Sequence, residues 1–313
     1  MAGRRQPFFG LSDTADDEEQ DQYVFTSMRW DCKAKACKQN IGSTKETKCV
    51  YLFKYHYDRL QIAANHRGWY DAVKSPAMKK PIELYGRVQR AVEKYMQETK
   101  SKGPFKCRVM LRYHGNIEVK VAPEVSNYKQ PCLYPTTFNL ASNSDPASKR
   151  ADTFKVVLDA LPTNTSLHTK DKTEWRSTYD YARMGANIES YQDAKEVLLF
   201  NGDGEVMDAS ICTPYFHRNG QWVTPHNDCG GQTGVTRRWA MDNNLCNFGI
   251  VHADSIAHGE VIWLSNAVKG FFTARYVKSA TRCKAPSFRS TSVSSSSTYA
   301  ETSKSDFAPK AML

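Results

Sequence analysis

No stretch of this 313-residue chain approaches the roughly 18 consecutive apolar residues that a membrane-spanning helix needs. The mean hydropathy of −0.60 agrees. The first residues, MAGRRQPFFG, lack the apolar core of a secretory signal and turn acidic at once. There is no CxxC, and no histidine pair at zinc spacing stands near Cys32 and Cys37, so no metal is expected. Collagen triplets, heptads and solenoid periods are missing. So are the aromatic RNP block, the GXXG loop and the finger spacings of nucleic-acid readers. Nine cysteines, an odd number scattered over a long chain, do not read as a disulfide framework. They are expected to be free thiols in a reducing compartment, which makes the cytoplasm the expected location.

What is present suits a globular protein. Forty per cent of the residues are hydrophobic, enough for one large domain or two of medium size. Lysine and arginine outnumber the acids by 43 to 33, but unevenly. Residues 1–22 carry Asp13, Asp16, Asp17, Glu18, Glu19 and Asp21 against two arginines and show no period, so they read as a disordered acidic N-terminus. Residues 281–313, with the run SFRSTSVSSSSTYAETSKSD, read as a disordered serine-rich tail. The body between is strongly basic, which suits small anionic ligands; neither nucleic acid nor membrane is an expected partner.

Hydrophobic spacing divides that body in two. Tyr23–Trp30 reads as a strand. Helices are expected over Val50–Gly68, from Tyr51, Leu52, Tyr55, Leu60, Ala63 and Ala64, and over Ile82–Lys100, from Leu84, Val88, Val92 and Met96. Strands Cys107–Tyr113 and Ile117–Val121 flank a His114-Gly115-Asn116 turn. Residues 23–122 thus form an expected N-terminal α+β domain. Residues 123–153, rich in Pro, Asn, Ser and Lys, read as a linker. Residues 154–280 read as a second, strand-rich domain. It has strands at Phe154–Leu158, Glu196–Asn201, Glu205–Phe216, Gln221–Thr224 and Glu260–Leu264, with turns at Gly202-Asp203-Gly204 and Asn219-Gly220. Helices are expected over Thr173–Ala186 and Val235–Asn243, with a Ser265-Asn266-Ala267 turn after the last strand.

The order of the polar motifs says more than any one of them. HYDRL at 56–60 is followed by HTKDKTEWRSTYDYAR at 168–183 and VLLFNGDGEVMDASICTPYF at 197–216. Then come GQWVTP, TGVTRR at 233–238 and VIWLSNAVKG at 261–270. In this order and spacing the chain resembles the class IV aminotransferases, enzymes of fold type IV that use pyridoxal phosphate (PLP). Within them it is most similar to the fungal aminodeoxychorismate lyase-like proteins. The resemblance spans about residues 23–277. It implies a two-domain α/β (α+β) enzyme of the D-amino acid aminotransferase type, a PLP cofactor between the domains, a homodimer and a small anionic amine as substrate.

The resemblance also assigns roles. Lys172, with Thr173, Arg176, Tyr179, Asp180, Ala182 and Arg183, falls on a KTxxRxxYDxAR pattern and is the implied Schiff-base lysine; Lys170 is its neighbour and rival. Arg59 is the implied phosphate ligand, with Asp58 beside it as its expected support. Gly234, Val235 and Thr236 open a helix whose N–H groups and dipole suit the same anion. Arg237 and Arg238 are expected on that helix's surface. Ser265 and Asn266 are implied contacts to phosphate or substrate. Asp208 takes the place of the glutamate that faces the pyridine nitrogen. Arg29, Arg176 and Arg183 are candidate partners for substrate carboxylates.

The chain departs from the family pattern at Asp208, at Thr213 and Pro214 where asparagine is usual nearby, at Gln232-Thr233 in place of Leu-Pro, and at Glu174-Trp175. Three functions stay open. One is a lyase releasing pyruvate and 4-aminobenzoate from 4-amino-4-deoxychorismate, a step toward folate. Another is a class IV amino-acid transaminase, which Ser177 disfavours for the branched-chain type because a tyrosine is usual five residues after the lysine. The third is a non-catalytic homologue that keeps the fold.

Overall fold

A computed structural model of the chain describes residues 22–33, 49–124, 132–139 and 154–278. The acidic N-terminus up to residue 21, most of the 123–153 stretch and the serine-rich tail lie outside the described residues.

Strand β1 (Tyr23–Trp30) pairs antiparallel with β2 (Phe105–Arg112), and β2 with β3 (Ile117–Pro123), around the expected turn. Side chains alternate across a strand. One face carries Val24, Met28 and Trp30 with Phe105, Cys107, Val109 and Leu111. It packs on helices α1 (Phe53–His66) and α4 (Pro81–Thr99) through Phe53, Tyr57, Leu60, Leu84, Val88 and Val92. Two short helices, α2 (Tyr70–Lys74) and α3 (Pro76–Lys79), connect α1 to α4. The opposite face of the sheet, with Phe25, Ser27, Lys106, Arg108 and Ala122, looks into a cavity.

The remaining strands are β4 (Lys155–Leu158), β5 (Lys195–Phe200), β6 (Val206–Ala209), β7 (Thr213–Arg218), β8 (Gln221–Pro225), β9 (Asn247–Gly249), β10 (Val261–Asn266) and β11 (Gly270–Tyr276). They form one mixed sheet in the order β6-β5-β4-β11-β10-β7-β8-β9. The β7–β8 hairpin turns through Asn219 and Gly220, both at positive φ (50° and 78°), as its Asn-Gly pair requires. Helices α5 (Leu167–Lys170), α6 (Ser177–Gly185) and α7 (Val235–Asp242) fill the connections. Within the stretch expected to be a linker, Leu133 and Phe138 are buried. They pack with Tyr215, Trp222, Trp239, Trp263 and Phe271 in a core rich in ring contacts.

Several expectations are corrected. Cys32 and Cys49 form a disulfide, so not every thiol is free; Cys107, Cys132, Cys212, Cys229 and Cys246 are free. The helix expected from Thr173 begins only at Ser177, because Thr173 bridges to Val24 of β1. The strand expected over Glu205–Phe216 is two strands, broken at Ser210–Cys212. Glu196 explains the break. Its carboxylate, fully buried in β5, accepts from the backbone N–H of Ser210 (3.2 Å) and Ile211 (3.3 Å) and from the Ser210 hydroxyl, which turns the chain. Ser265 and Asn266 lie inside β10 rather than in a turn after it. Strand β11 was not foreseen.

Candidate active site

Both sheets and the loop before α6 enclose a cavity of about 330 Å³. All seven residues expected at the site line it: Arg59, Lys172, Asp208, Val235, Thr236, Ser265 and Asn266.

Lys172 reaches the cavity because its loop is stitched to the first strand. The Phe25 N–H donates to the Lys172 carbonyl (2.8 Å), and Thr173 bridges to Val24. Its Nζ lies 5.2 Å from the centre of the Phe25 ring. Burial holds the Lys172 amine well below its ordinary range, and the positive charges of Arg176 and Arg59 push it the same way. Lys170 ends α5, exposed and outside the cavity. Asp171, buried between the two lysines, accepts from His66 at 3.0 Å.

Asp208 comes from β6 and is buried. Desolvation lifts its carboxyl to about 7, against the pull of the Ala209 N–H and the charges of Lys172 and Arg237. The Gln232 N–H approaches Oδ2 at 3.4 Å. The strand is held near this segment by Gly231, where a Cβ would meet the Met207 carbonyl oxygen at 1.9 Å. No residue but glycine fits that backbone approach.

At the far end, helix α7 opens with Gly234 as its N-cap, and Arg59 from α1 donates to the Thr233 carbonyl (2.8 Å) just before it. Burial pulls the Arg59 guanidinium down to about 10. Three hydroxyls form a chain. Ser265 Oγ donates to Thr236 Oγ1 (2.7 Å) and is 2.8 Å from the Tyr215 hydroxyl. Asn266 shapes the β10–β11 turn instead: its Oδ1 accepts from the N–H groups of Val268 (3.0 Å) and Lys269 (2.8 Å), and its amide turns to Cys212 (3.4 Å).

Other assignments change. Asp58 supports Lys54 (3.1 Å) and Arg238 (3.0 Å), not Arg59. Arg237 is not on the surface; it is buried against the Pro225 and Gln232 carbonyls and Asn227. Of the three arginines proposed for substrate carboxylates, Arg29 is spent on Asp31 and Glu124 (2.9 and 3.0 Å), and Arg183 on Ser210 and Ser190. Only Arg176 lines the cavity. Lys106, Arg108 and Lys269 line it too and were missed. The signal for two of them was in the sequence, as cations alternating with Phe105, Cys107 and Val109 in FKCRV.

The donor set fits a phosphorylated pyridine aldehyde. A low-basicity amine, a buried carboxyl and an anion-binding end made of a guanidinium, a hydroxyl and a helix N-terminus face one space of suitable size.

Comparisons with known proteins show the fold and the family. The fold is similar to that of the "Putative amino-acid aminotransferase" of Mesorhizobium loti. The TM-score is 0.57 at 19% identity, over 82% of this chain and 100% of that one. It is also similar to the branched-chain amino acid aminotransferase of Escherichia coli (TM-score 0.53, 12% identity, 82% of this chain and 76% of that one). The architecture is fold type IV. In sequence, the chain is 32% identical over 225 residues to the "Putative aminodeoxychorismate lyase" of Schizosaccharomyces pombe, covering 70% of this chain and 81% of the relative. Residues 24–277 match the family "Amino-transferase class IV". The chain belongs to the class IV aminotransferase family of enzymes.

Proposed function

We propose that the chain is a PLP-dependent lyase acting like 4-amino-4-deoxychorismate lyase, releasing pyruvate and 4-aminobenzoate. The observation that carries the reading is the placement of Lys172, its basicity lowered by burial, in one cavity with Asp208 and the Arg59–Thr236 anion end. Similarity to the Schizosaccharomyces pombe relative supports the lyase form. When bound, PLP supplies an aldehyde for the substrate amine and a ring that accepts electrons. Arg59, Thr236 and the N–H groups at the start of α7 would hold its phosphate, and Asp208 would hold a proton at its ring nitrogen. Lys172 Nζ, its charged form disfavoured by burial, takes a proton from the substrate carbon that bears nitrogen and returns one to the departing three-carbon group. The ring becomes aromatic, and the reaction balances without water or an oxidant. The same reading makes the protein a homodimer, which sedimentation would test.

The test is the absorption spectrum of the protein with PLP, beside Lys172→Ala, followed by assay of pyruvate. A near-visible band trapped by borohydride is expected in the wild type and absent from the variant, with pyruvate release falling by about a thousandfold or more. Absence of the band in the wild type overturns the PLP reading. A band with amino transfer to 2-oxo acids and no pyruvate overturns the lyase in favour of a transaminase.

A further inference from the structure

One wall of the cavity is continuous in the chain: every residue from 208 to 213 lines the space. Asp208 and Ala209 end β6, Thr213 begins β7, and the turn between them is held from behind by Glu196 of β5, the strand beside β6. Glu196 is fully buried and does not line the cavity. Its Oε1 accepts from the N–H groups of Val197 (3.0 Å) and Ser210 (3.2 Å) and from the Ser210 hydroxyl; Oε2 accepts from the Ile211 N–H (3.3 Å). Among the described residues its link to a cation is indirect: Arg183 Nη1 donates to the same Ser210 Oγ at 3.0 Å. Burial and the Glu196 charge hold the Cys212 thiol well above its ordinary range, so the wall carries no thiolate there. Burying a carboxylate costs free energy that its hydrogen bonds must offset, so as a stabiliser alone it gains little. What it does supply is direction. Acceptors for two successive N–H groups and a hydroxyl fix the path of the turn.

We infer that Glu196 is a positioning residue for the reaction proposed above, holding the turn at residues 210–212 so that Asp208 stays fixed and shut off from water at the cavity. The inference rests on that reading for the part Asp208 plays, and deepens it by extending the site to a side chain behind the wall. Asp208 stands two residues before the turn, and the Ser210 carbonyl, inside it, accepts from Arg176 at 3.0 Å. Without the carboxylate, the Ile211 N–H and the Ser210 hydroxyl lose their acceptor. The turn then loosens and water reaches β6. The Ser210 hydroxyl, which accepts from Arg183 and donates to Glu196, ties the clamp to α6 as well.

The experiment uses the full chain, cofactor-free and PLP-loaded. In the cofactor-free protein the Asp208 carboxyl is titrated by carbon-13 NMR, its signal assigned with Asp208→Asn. The wild type is expected to titrate at about 7. In Glu196→Ala the value is expected to fall by about one unit or more, because water then solvates the anion. Glu196→Gln removes the charge yet keeps an oxygen that accepts from Ser210. It is expected to stay within about half a unit of wild type, which separates the clamp from the charge. In the loaded protein, pyruvate release per mole of PLP trapped by borohydride is expected to fall about tenfold or more in Glu196→Ala and to recover mostly in Glu196→Gln. Should Glu196→Ala fail to fold, Ser210→Ala, which cuts the hydroxyl link alone, is read the same way, with both changes smaller. Either readout left unchanged in the alanine variants, however much stability is lost, makes Glu196 structural only and overturns the inference. If the wild type releases no pyruvate, the lyase reading falls, and the Asp208 titration alone decides the role of Glu196.

Discussion

The two ends of the cavity are built differently. At the α7 end the groups that line the cavity are tied to one another: Thr236 with Ser265, Ser265 with Tyr215, Arg59 with the Thr233 carbonyl. At the β2 end Lys106, Arg108 and Arg176 stand side by side; the Arg108 Nε is buried without a hydrogen bond, and the Arg176 Nε has only Asp180 at 3.7 Å. A pre-arranged network costs little to reorganise and suits a group that stays bound. Unpaired charge suits a visitor, which supplies the counter-ion on arrival and removes it on leaving.

Three changes test this contrast, the largest first. Asp208 lies between the two ends, and its carboxyl is raised from 3.8 to about 7. The folded protein therefore keeps a proton that the unfolded chain releases. That contribution is fully present below about pH 4 and is lost as the pH rises through 7. In cofactor-free protein, Asp208→Asn is expected to be more stable than wild type at pH 8 by up to about 4 kcal/mol, with the gap closing near pH 4. Urea unfolding at both pH values measures it, and equal gaps would show that Asp208 is not the strained group. Next, Thr236→Val removes a partner from the hydroxyl chain and should cost about 1–2 kcal/mol in the same assay. Smallest, Lys106→Met at the open end should change stability by no more than about 0.5 kcal/mol. If Lys106→Met destabilises the fold as much as Thr236→Val, the two ends are not different in kind.

Much of this was legible in the sequence, for local reasons. Strand β1 and the Asn219-Gly220 turn follow from short-range pattern and backbone preference. Arg59, Lys172 and Asp208 were reached through the order of motifs, and the cavity contains all three. What was hidden depends on distant partners. Ser210–Cys212 turns because Glu196, on another strand, binds its backbone. Thr173 leaves the helix because β1 takes it. In β11 residues 270–274 are buried on both faces, so GFFTA carries no alternation to read. Arg29 and Arg183 looked as available as Arg176, and only the fold shows that Asp31, Glu124 and Ser210 already hold them. Lys106 and Arg108 alternate visibly, but the sequence does not say which face of the sheet meets the cavity.

Among the described residues, the strand latest in the chain is also a middle one of its sheet. Between β4 and β10, β11 joins the half of the sheet that carries Asp208 to the half that carries Ser265. Strand β1, the earliest among the described residues, holds the loop of Lys172. During synthesis, then, the lysine, the carboxyl and the hydroxyl chain cannot converge until residue 276 has left the ribosome, and closing such distant pairings is slow. Translation that stops short of β11 yields no partly working product. A stop codon before residue 270 therefore removes the strand that joins the two halves of the sheet.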